Sequence, residues 1–190
     1  MEETSANEAK AIFETNVFGL LNVTRAVLPV MRNQRSGHII NMSSLGGYQA
    51  SAGWGVYGST KFAVEGLTKA LYAELKPLGI HATVIEPGFF RTDFMDASSL
   101  ARAAVQIDDY ESTVGKTRSF AEGNSGRQSG DPAKLAAALL ALAALDDPPV
   151  RLQLGSDALK RIEQKNAFVQ SESERWRSLS LSTYFRPDGL

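Results

Sequence analysis

Residues 38–43, with the sequence HIINMS, and residues 80–85, with the sequence IHATVI, are short runs rich in β-branched residues, as buried strands are. Between them, residues 56–78 carry apolar side chains at helical spacing, and this helix is predicted to end at the Pro-Leu-Gly turn of residues 77–79. The order strand, helix, strand with short turns is typical of a right-handed βαβ crossover. We therefore predict an α/β fold built on a parallel sheet covered by helices.

A long helix is predicted upstream of this unit. Ser5 and Glu8 have the spacing of a capping box, in which each side chain satisfies a free backbone amide of the other residue. Apolar residues then recur at three- and four-residue steps, which predicts a helix from about Ala6 to Arg32 with the polar Asn16 in its apolar part. Downstream, three more elements are predicted: a helix over residues 131–145, a strand over 150–154 and a helix from 156 to about 173.

Residues 88–130 have no regular periodicity. They are polar, end in a stretch rich in Gly and Ser, and carry scattered aromatic residues. An irregular segment of this length inside a compact domain is either a lid or binding loop, or a pair of short helices without a clear signal. Both alternatives stay open from the residues alone. The total length of 190 residues predicts a single domain, residues 1–190.

Composition limits the classes of function. The chain has 20 Lys and Arg against 21 Asp and Glu, and this balance offers no electrostatic footprint for nucleic acid or an anionic membrane. It contains no cysteine, which excludes disulfides and thiolate chemistry. His38 and His81 have no partners at ligand spacing, so no metal site is predicted. With no long apolar run and no signal-peptide pattern at residue 1, we expect a cytoplasmic protein without nucleic-acid or membrane partners.

One constellation could carry chemistry. Tyr57 and Lys61 are four residues apart on a predicted helix, which places them on one face with Cβ atoms about 5–6 Å apart. An ammonium group near a phenol favours the phenolate, so such a tyrosine can serve as a general acid or base near neutrality. Ser44 lies at the carboxyl end of the predicted strand, where open α/β sheets bind ligands. These three side chains suit proton transfer to a carbonyl oxygen.

A second set of residues has the same spacing. Tyr72 and Lys76 are also four residues apart, and Ser59 precedes Tyr72 by thirteen residues as Ser44 precedes Tyr57. Ser59 and Tyr72 lie in one predicted helix, however, so thirteen residues at 1.5 Å each separate them by roughly 20 Å. They cannot meet at one atom, and we interpret this second set as a surface coincidence. Ser44 and Tyr57 are joined by a Gly-rich loop that can bring them together.

These residues resemble a known family. The motifs are FETNVFG at residues 13–19, NMSS at 41–44, YGSTK at 57–61 and IEPGFFRT at 85–92. In this order they look like the short-chain dehydrogenase/reductase family, which uses a nicotinamide cofactor on a doubly wound parallel sheet. The resemblance covers about residues 1–165. It implies a partial Rossmann-like sheet of about three strands with flanking helices.

The resemblance also implies roles for individual residues. Tyr57 would be the catalytic acid or base, Ser44 would hold the reacting oxygen of the substrate, and Lys61 would lower the pKa of Tyr57 and bind the nicotinamide ribose. Asn16 would anchor a water in a proton relay that ends at Lys61. The stretch that lines the nicotinamide would comprise Pro87, Gly88, Phe90 and Thr92, together with Tyr57 and Lys61, and residues 88–130 would be the variable substrate lid.

Several aromatic residues have two interpretations. Tyr48 and Trp54 either line the substrate pocket or serve the loop structure, and Phe89, Phe90 and Phe94 are either core residues or substrate contacts.

The amino-terminal half of the family has no counterpart in this chain. Its TGxxxGxG loop, its NNAG turn and the residue that selects the cofactor are all missing, so only three of seven strands are expected. The first of these strands would then expose an apolar edge. We expect the chain to be a truncated product, or one half of an assembly whose amino-terminal half is a separate partner.

Two classes of function follow. The first is an oxidoreductase that transfers hydride between NADP or NAD, with NADP slightly favoured, and a small-molecule carbonyl compound or secondary alcohol. The second is a catalytically inactive fragment that acts as an oligomerisation or partner-binding module. In either case a homo-oligomer through the two long helices is expected from the family. A third option is epimerase or dehydratase chemistry on the same scaffold.

Overall fold

A computed structural model describes residues 1–96 and 98–185. Within them, three parallel strands form one sheet in the order β1 (Gly37–Met42), β2 (Ile80–Pro87) and β3 (Arg151–Leu154). The register of β1 and β2 starts with Gly37 opposite Ile80, and Val84 is the first β2 residue to pair with β3. The predicted α/β class and the sheet of about three parallel strands are confirmed. In the described part of the chain β1 is an edge strand, as expected.

The predicted amino-terminal helix is interrupted by a π-helical stretch. It consists of α1 (Ala6–Phe13), a π-helix (Glu14–Gly19) and α2 (Leu20–Gln34). The capping box at its start is confirmed, because the Ser5 hydroxyl accepts from the Glu8 amide at 3.3 Å and a Glu8 carboxylate oxygen accepts from the Ser5 amide at 2.7 Å. Asn16 lies in the π-helix, where the wider turn is often found at functional positions.

The helix α3 (Gly55–Leu75) connects β1 to β2, and a short 3-10 helix (Lys76–Leu78) follows it. A core cluster of Ile39, Leu75 and Ile80 packs between α2, α3 and the sheet. The Asn41 amide donates to the buried Thr68 hydroxyl at 2.9 Å and ties α3 to β1. These contacts fix the first turns of α3 at the carboxyl end of β1.

Residues 88–130 form several short helices. These are 3-10 helices at Asp93–Met95 and Asp108–Tyr110, a π-helix at Glu111–Gly115 and the helix α4 (Lys116–Asn124). Phe90 forms an isolated bridge with Gly130, so the two ends of the segment meet beside the sheet. The described part of the segment thus contains four short helices rather than a pair, and its role as a substrate lid stays a prediction.

Acidic side chains at the amino terminus hold this segment in place. The buried Glu3 carboxylate accepts from the Ile107 amide at 2.9 Å and pairs with the Arg118 guanidinium at 3.0 Å. The Tyr110 hydroxyl donates to Glu2 at 2.6 Å. The Ile107 amide and the Arg118 guanidinium lower the pKa of Glu3. Residues 1–3 thereby anchor α4, one side of which reaches the candidate site.

The carboxyl-terminal region contains α5 (Pro132–Ala143), capped by Asp131, then β3, α6 (Ser156–Arg175) and α7 (Arg177–Leu181). The predicted helix over 156–173 extends two residues further than expected. None of the helices in the described ranges is long and apolar enough to cross a membrane. Among residues 1–96 and 98–185, no three His, Asp or Glu side chains lie together as a metal site requires.

Candidate active site

A cleft of about 500 Å³ opens at the carboxyl ends of β1 and β2. The loop after β1, the first turns of α3, the residues after β2, α4 and α6 all contribute to its wall. Of the predicted site residues, the cleft is lined by Ser44, Tyr57, Lys61, Pro87, Gly88, Phe90 and Thr92. The structure thus brings together side chains that are up to 48 positions apart in sequence (92 − 44).

Ser44 is fixed where β1 ends. The Ser43 amide donates to the Ile85 carbonyl at 2.8 Å, which continues the strand pairing up to this point. The Ser44 hydroxyl accepts from the Gly46 amide at 3.1 Å and caps a 3-10 turn. A Cβ atom on Gly46 would lie 3.5 Å from the Ser44 hydroxyl and 3.7 Å from the Tyr57 ring. Ser44 and Tyr57 therefore face the same small volume.

Tyr57 and Lys61 occupy adjacent turns of α3. The Lys61 ammonium lies 5.7 Å from the centroid of the Tyr57 ring and donates to the Met42 carbonyl at 3.0 Å. Burial raises the pKa of Tyr57, while the Ser44 hydroxyl acts in the opposite direction. Burial also lowers the pKa of Lys61. Desolvation is the larger of the two causes for Tyr57, so its pKa lies above the ordinary value, and the expected lowering by Lys61 stays a prediction.

Two aromatic side chains enclose the Tyr57 ring. Trp54 lies 5.7 Å from it and Phe94 5.5 Å, measured between ring centroids, and these two stack on each other at 6.1 Å. Phe89 and Phe90 line the cleft as Phe94 does, and contact of these three residues with a substrate stays a prediction. Tyr48 points elsewhere: its hydroxyl donates to Asn166, and the Arg151 guanidinium covers its ring at 4.3 Å.

The residues after β2 form the opposite wall. The Gly88 amide donates to the Leu154 carbonyl at 2.8 Å, and the Phe89 amide donates to the Asp157 carboxylate at 2.7 Å. A Cβ atom on Gly88 would clash with that carboxylate, so a larger residue would displace Asp157 from the Phe89 amide. The Thr92 hydroxyl accepts from the Phe94 amide at 3.3 Å. The hydrogen bonds to Leu154 and Asp157 hold this backbone against β3 and the start of α6.

Asn16 reaches α3 and is absent from the residues that line the cleft. Its side-chain amide donates to the Thr60 hydroxyl at 3.0 Å, and that hydroxyl donates to the Tyr57 carbonyl at 2.7 Å. The structure therefore places Asn16 next to the residue that precedes Lys61. Its contact in this structure supports the backbone of α3.

A buried carboxylate pair under the site was missed by the sequence analysis. Glu86, which is fully buried, accepts from Arg151 Nε at 2.9 Å and from Gln153 at 2.6 Å. Glu65 on α3 lies 3.6 Å from the same guanidinium. Burial, together with the charge of Glu86, raises the pKa of Glu65 to about 7. Two features of the sequence could have indicated this cluster. Glu86 is an acidic residue inside the apolar run of β2, and Arg151 is a basic residue in β3.

Comparison with known proteins identifies the class. A sequence model described as short chain dehydrogenase matches residues 1–103. An oxidoreductase of Botryotinia fuckeliana is 36% identical over 183 residues, which cover 96% of this chain and 66% of that relative. The crystal structure of a short-chain dehydrogenase from Streptomyces avermitilis matches with a TM-score of 0.87 and 37% identity, over 97% of this chain and 66% of that one.

A structure of gluconate 5-dehydrogenase from Burkholderia cenocepacia, in complex with NADP and tartrate, matches with a TM-score of 0.61. It is 28% identical and covers 82% of this chain and 57% of that one. The chain belongs to the short-chain dehydrogenase/reductase family of oxidoreductases. It spans between about half and two thirds of the length of three curated relatives that it matches.

Proposed function

We propose that the chain is an oxidoreductase polypeptide that transfers hydride between a nicotinamide cofactor and a carbonyl compound or secondary alcohol. The observation that carries the proposal is the convergence of Ser44, Tyr57 and Lys61 on one cleft whose other wall is the backbone after β2. Membership of the family supports the same reaction class. The site lies at the carboxyl ends of the strands, where open α/β sheets bind ligands.

The residues that would hold the cofactor line one side of the cleft. They are Pro87, Gly88, Phe90 and Thr92, which follow β2 at the carboxyl end of the sheet. When bound, the nicotinamide supplies or accepts the hydride. NADP is slightly favoured over NAD, and the related gluconate 5-dehydrogenase structure holds NADP. The chain's own residues carry out the proton transfer.

In the reducing direction, the Tyr57 hydroxyl donates its proton to the substrate oxygen while hydride reaches the carbonyl carbon, which gives an alcohol. The Ser44 hydroxyl donates a hydrogen bond to the same oxygen and stabilises its developing negative charge. The Lys61 ammonium stabilises the phenolate that remains on Tyr57. Asn16 supports this machinery by holding α3, and a proton relay through a water at Asn16 toward Lys61 would restore the phenol.

The raised pKa of Tyr57 sets the direction of the pH dependence. A buried phenol stays protonated near neutral pH, which suits a proton donor in carbonyl reduction. Alcohol oxidation requires the phenolate as a base. At pH values below the pKa of Tyr57, the oxidising rate should therefore rise with pH while the reducing rate stays at its plateau.

Two further features belong to this proposal. Residues 88–130 serve as the substrate lid, because Lys116, Thr117 and Phe120 of α4 line the cleft.

The chain forms a homo-oligomer with a second copy through its long helices. The helices that follow Ser5 and the helix α3 carry four large apolar residues that are between 44% and 64% exposed, namely Phe18, Val23, Val30 and Phe62. The absence of cysteine is compatible with a cytoplasmic location.

The test is the turnover of simple aromatic aldehydes and ketones, such as acetophenone, by the purified 190-residue chain with NADPH and with NADH. The expected result is oxidation of the cofactor together with an alcohol that has two hydrogens more than the substrate. An isomer or a dehydrated product would indicate epimerase or dehydratase chemistry instead. Absence of turnover in a chain shown to be folded by circular dichroism would contradict the proposal.

A further inference from the structure

The charges around the cleft are all of one sign. Three cationic side chains line it, Lys61, Lys116 and Arg161. Within residues 1–96 and 98–185, no Asp or Glu side chain belongs to its wall. The rest of the lining is largely apolar and aromatic. Such a cleft has a positive potential and favours ligands that carry a negative charge. Lys61 has its role beside Tyr57, which leaves Lys116 and Arg161 without an assigned one.

Arg161 differs from the other partly buried arginines of the chain. Arg118 and Arg151 each pair with two carboxylates. Arg161 is half-buried in the first half of α6, and among the described residues its guanidinium has one polar contact, a long hydrogen bond of 3.4 Å to the Ser51 hydroxyl. Among the described residues, no carboxylate lies within 4.0 Å of it. A guanidinium in this position retains most of its donors for a bidentate anion.

The position of Arg161 fits the distal end of a substrate. The Ser51 carbonyl accepts from the Trp54 amide at 3.1 Å, and the Trp54 ring lies 5.7 Å from Tyr57. The turn from Ser51 to Trp54 and the Trp54 indole ring therefore lie between Arg161 and Tyr57, where the substrate oxygen would react. An apolar wall continues in this direction, because Arg161 lies 5.8 Å from the Phe89 ring and Phe120 packs on Phe89 at 5.5 Å.

A second polar group without a partner lines the same cleft. The side-chain oxygen of Gln49 is buried, lines the cleft and has no hydrogen-bond partner among the described residues. A buried acceptor without a partner carries a desolvation cost that a ligand hydroxyl or amide would remove. Lys116, which is exposed on α4, adds positive charge at the opening.

We propose that the substrate is a carbonyl compound, or the corresponding alcohol, with an apolar body and a carboxylate at its distal end that the Arg161 guanidinium binds. The carbonyl end of this inference rests on the proposed function. The carboxylate end rests on Arg161 and the one-signed charge of the cleft, and it can be tested by binding alone. Charge-assisted bidentate pairs are about twice as strong as neutral hydrogen bonds, so removal of the carboxylate should weaken binding at least about tenfold.

The experiment compares ω-aryl oxo acids with their methyl esters. The probes run from 4-oxo-4-phenylbutanoate to 7-oxo-7-phenylheptanoate, so that one of them spans the distance from Tyr57 to Arg161. Dissociation constants are measured by calorimetry with the wild-type chain and with Arg161→Gln, Arg161→Lys and Lys160→Gln. Lys160 is the exposed neighbour on the same helix, and its variant removes an equal charge from outside the cleft.

For at least one chain length, the acid should bind wild type about tenfold more tightly than its ester. In Arg161→Gln this ratio should fall to within about twofold, with the affinity for the ester unchanged. Arg161→Lys should keep part of the preference for the acid over the ester, because lysine keeps the positive charge but lacks the paired donors of a guanidinium. Lys160→Gln should behave as wild type.

Several results would overturn the inference. These are equal affinities of acid and ester for wild type, an equal effect of Lys160→Gln, and no binding of any acid up to about 5 mM. A loss of NADPH affinity in Arg161→Gln without any change in acid preference would assign the guanidinium to the cofactor. Turnover is measured separately: neutral ketones reduced without an acid preference would leave the proposed function intact, and acid preference without turnover would leave only the binding inference.

Discussion

Helix α3 carries two tyrosine–lysine pairs with the same spacing, and they differ in what surrounds them. The ammonium lies 5.7 Å from the ring centroid in the pair Tyr57–Lys61 and 5.5 Å in the pair Tyr72–Lys76. In the second pair, Lys76 even donates directly to the Tyr72 hydroxyl at 3.3 Å. The four-residue spacing on a helix therefore produces the same local geometry twice.

The serines thirteen residues earlier separate the two sites. Ser44 follows β1 and faces the volume that Tyr57 also faces. Ser59 lies inside α3 and donates to the Val56 carbonyl at 2.7 Å, so its hydroxyl is engaged in its own helix. Tyr57 lines the cleft, whereas Tyr72 is absent from its lining. The candidate site therefore needs more than a tyrosine–lysine pair on a helix. It also needs a serine at the end of a strand and a cleft that both side chains line.

The largest expected effect is on the tyrosines. Tyr57→Phe removes the proposed proton donor and should lower NADPH-dependent carbonyl reduction about 10³-fold, within the usual range for general acid catalysis. Tyr72→Phe should leave the rate within about twofold, because its ring is outside the cleft. Initial rates of both variants against wild type check this. Comparable losses in the two variants would remove the distinction between the pairs.

The lysines should follow with a smaller effect. Lys61→Met keeps the length of the side chain but removes the charge near the Tyr57 ring and the hydrogen bond to the Met42 carbonyl. The reduction rate should fall about 10²-fold, since the phenolate left by proton transfer loses its counter-charge. Lys76→Met serves as the matched control and should be nearly silent. An active Lys61→Met with an unchanged pH profile would contradict the role of Lys61.

The serines provide a third comparison. Ser44→Ala should reduce the turnover number by roughly 10- to 100-fold, because one hydrogen bond to the developing oxyanion is lost. Ser59→Ala should change it by less than about twofold. Steady-state kinetics separate the two effects: the loss at Ser44 should lie mainly in kcat. A loss confined to KM would indicate that Ser44 only binds the substrate.

The smallest expected effect concerns stability. Glu65 lies one turn after Lys61 on α3, and its pKa is raised from 4.5 to about 7 by burial and by Glu86. The folded chain then binds a proton more tightly than the unfolded chain, so stability falls as the pH rises from about 4.5 through 7. Glu65→Gln should flatten this fall and stabilise the chain at pH 8 by about 1 kcal/mol.

Urea unfolding at pH 5 and pH 8 measures this difference. Glu74→Gln, an exposed position on the same helix, is the control and should leave the pH dependence unchanged. If Glu65→Gln were less stable than wild type at pH 8, the ionised Glu65 would stabilise the fold through Arg151, and the expected destabilising effect of its charge would be wrong.

The sequence was sufficient for the parts of the site that depend on local pattern. The strand–helix–strand unit, the capping box at Ser5 and the helical pair at Tyr57 follow from periodicity and spacing. The distinction between Ser44 and Ser59 followed from helix geometry, because the rise per residue fixes the distance within one helix. These predictions needed no knowledge of the surroundings.

Other features depended on contacts between distant segments. The direction of the Tyr57 pKa shift comes from burial beneath Trp54 and Phe94, which no spacing rule reports. The hydrogen bond from Tyr48 to Asn166 and the contacts of Glu3 with Ile107 and Arg118 each join positions more than a hundred residues apart. The short helices within residues 88–130 lack periodic signals because few of their side chains are buried.

The most direct test of the central claim is a titration of the chain with NADPH, followed by energy transfer from tryptophan to the nicotinamide. Trp176→Phe leaves Trp54, which lines the cleft, as the sole donor. We predict saturable energy transfer with a dissociation constant on the order of 10 μM, together with its reversal by NADP⁺. A folded chain that shows no saturable signal up to about 1 mM would contradict the claim that this cleft binds the nicotinamide.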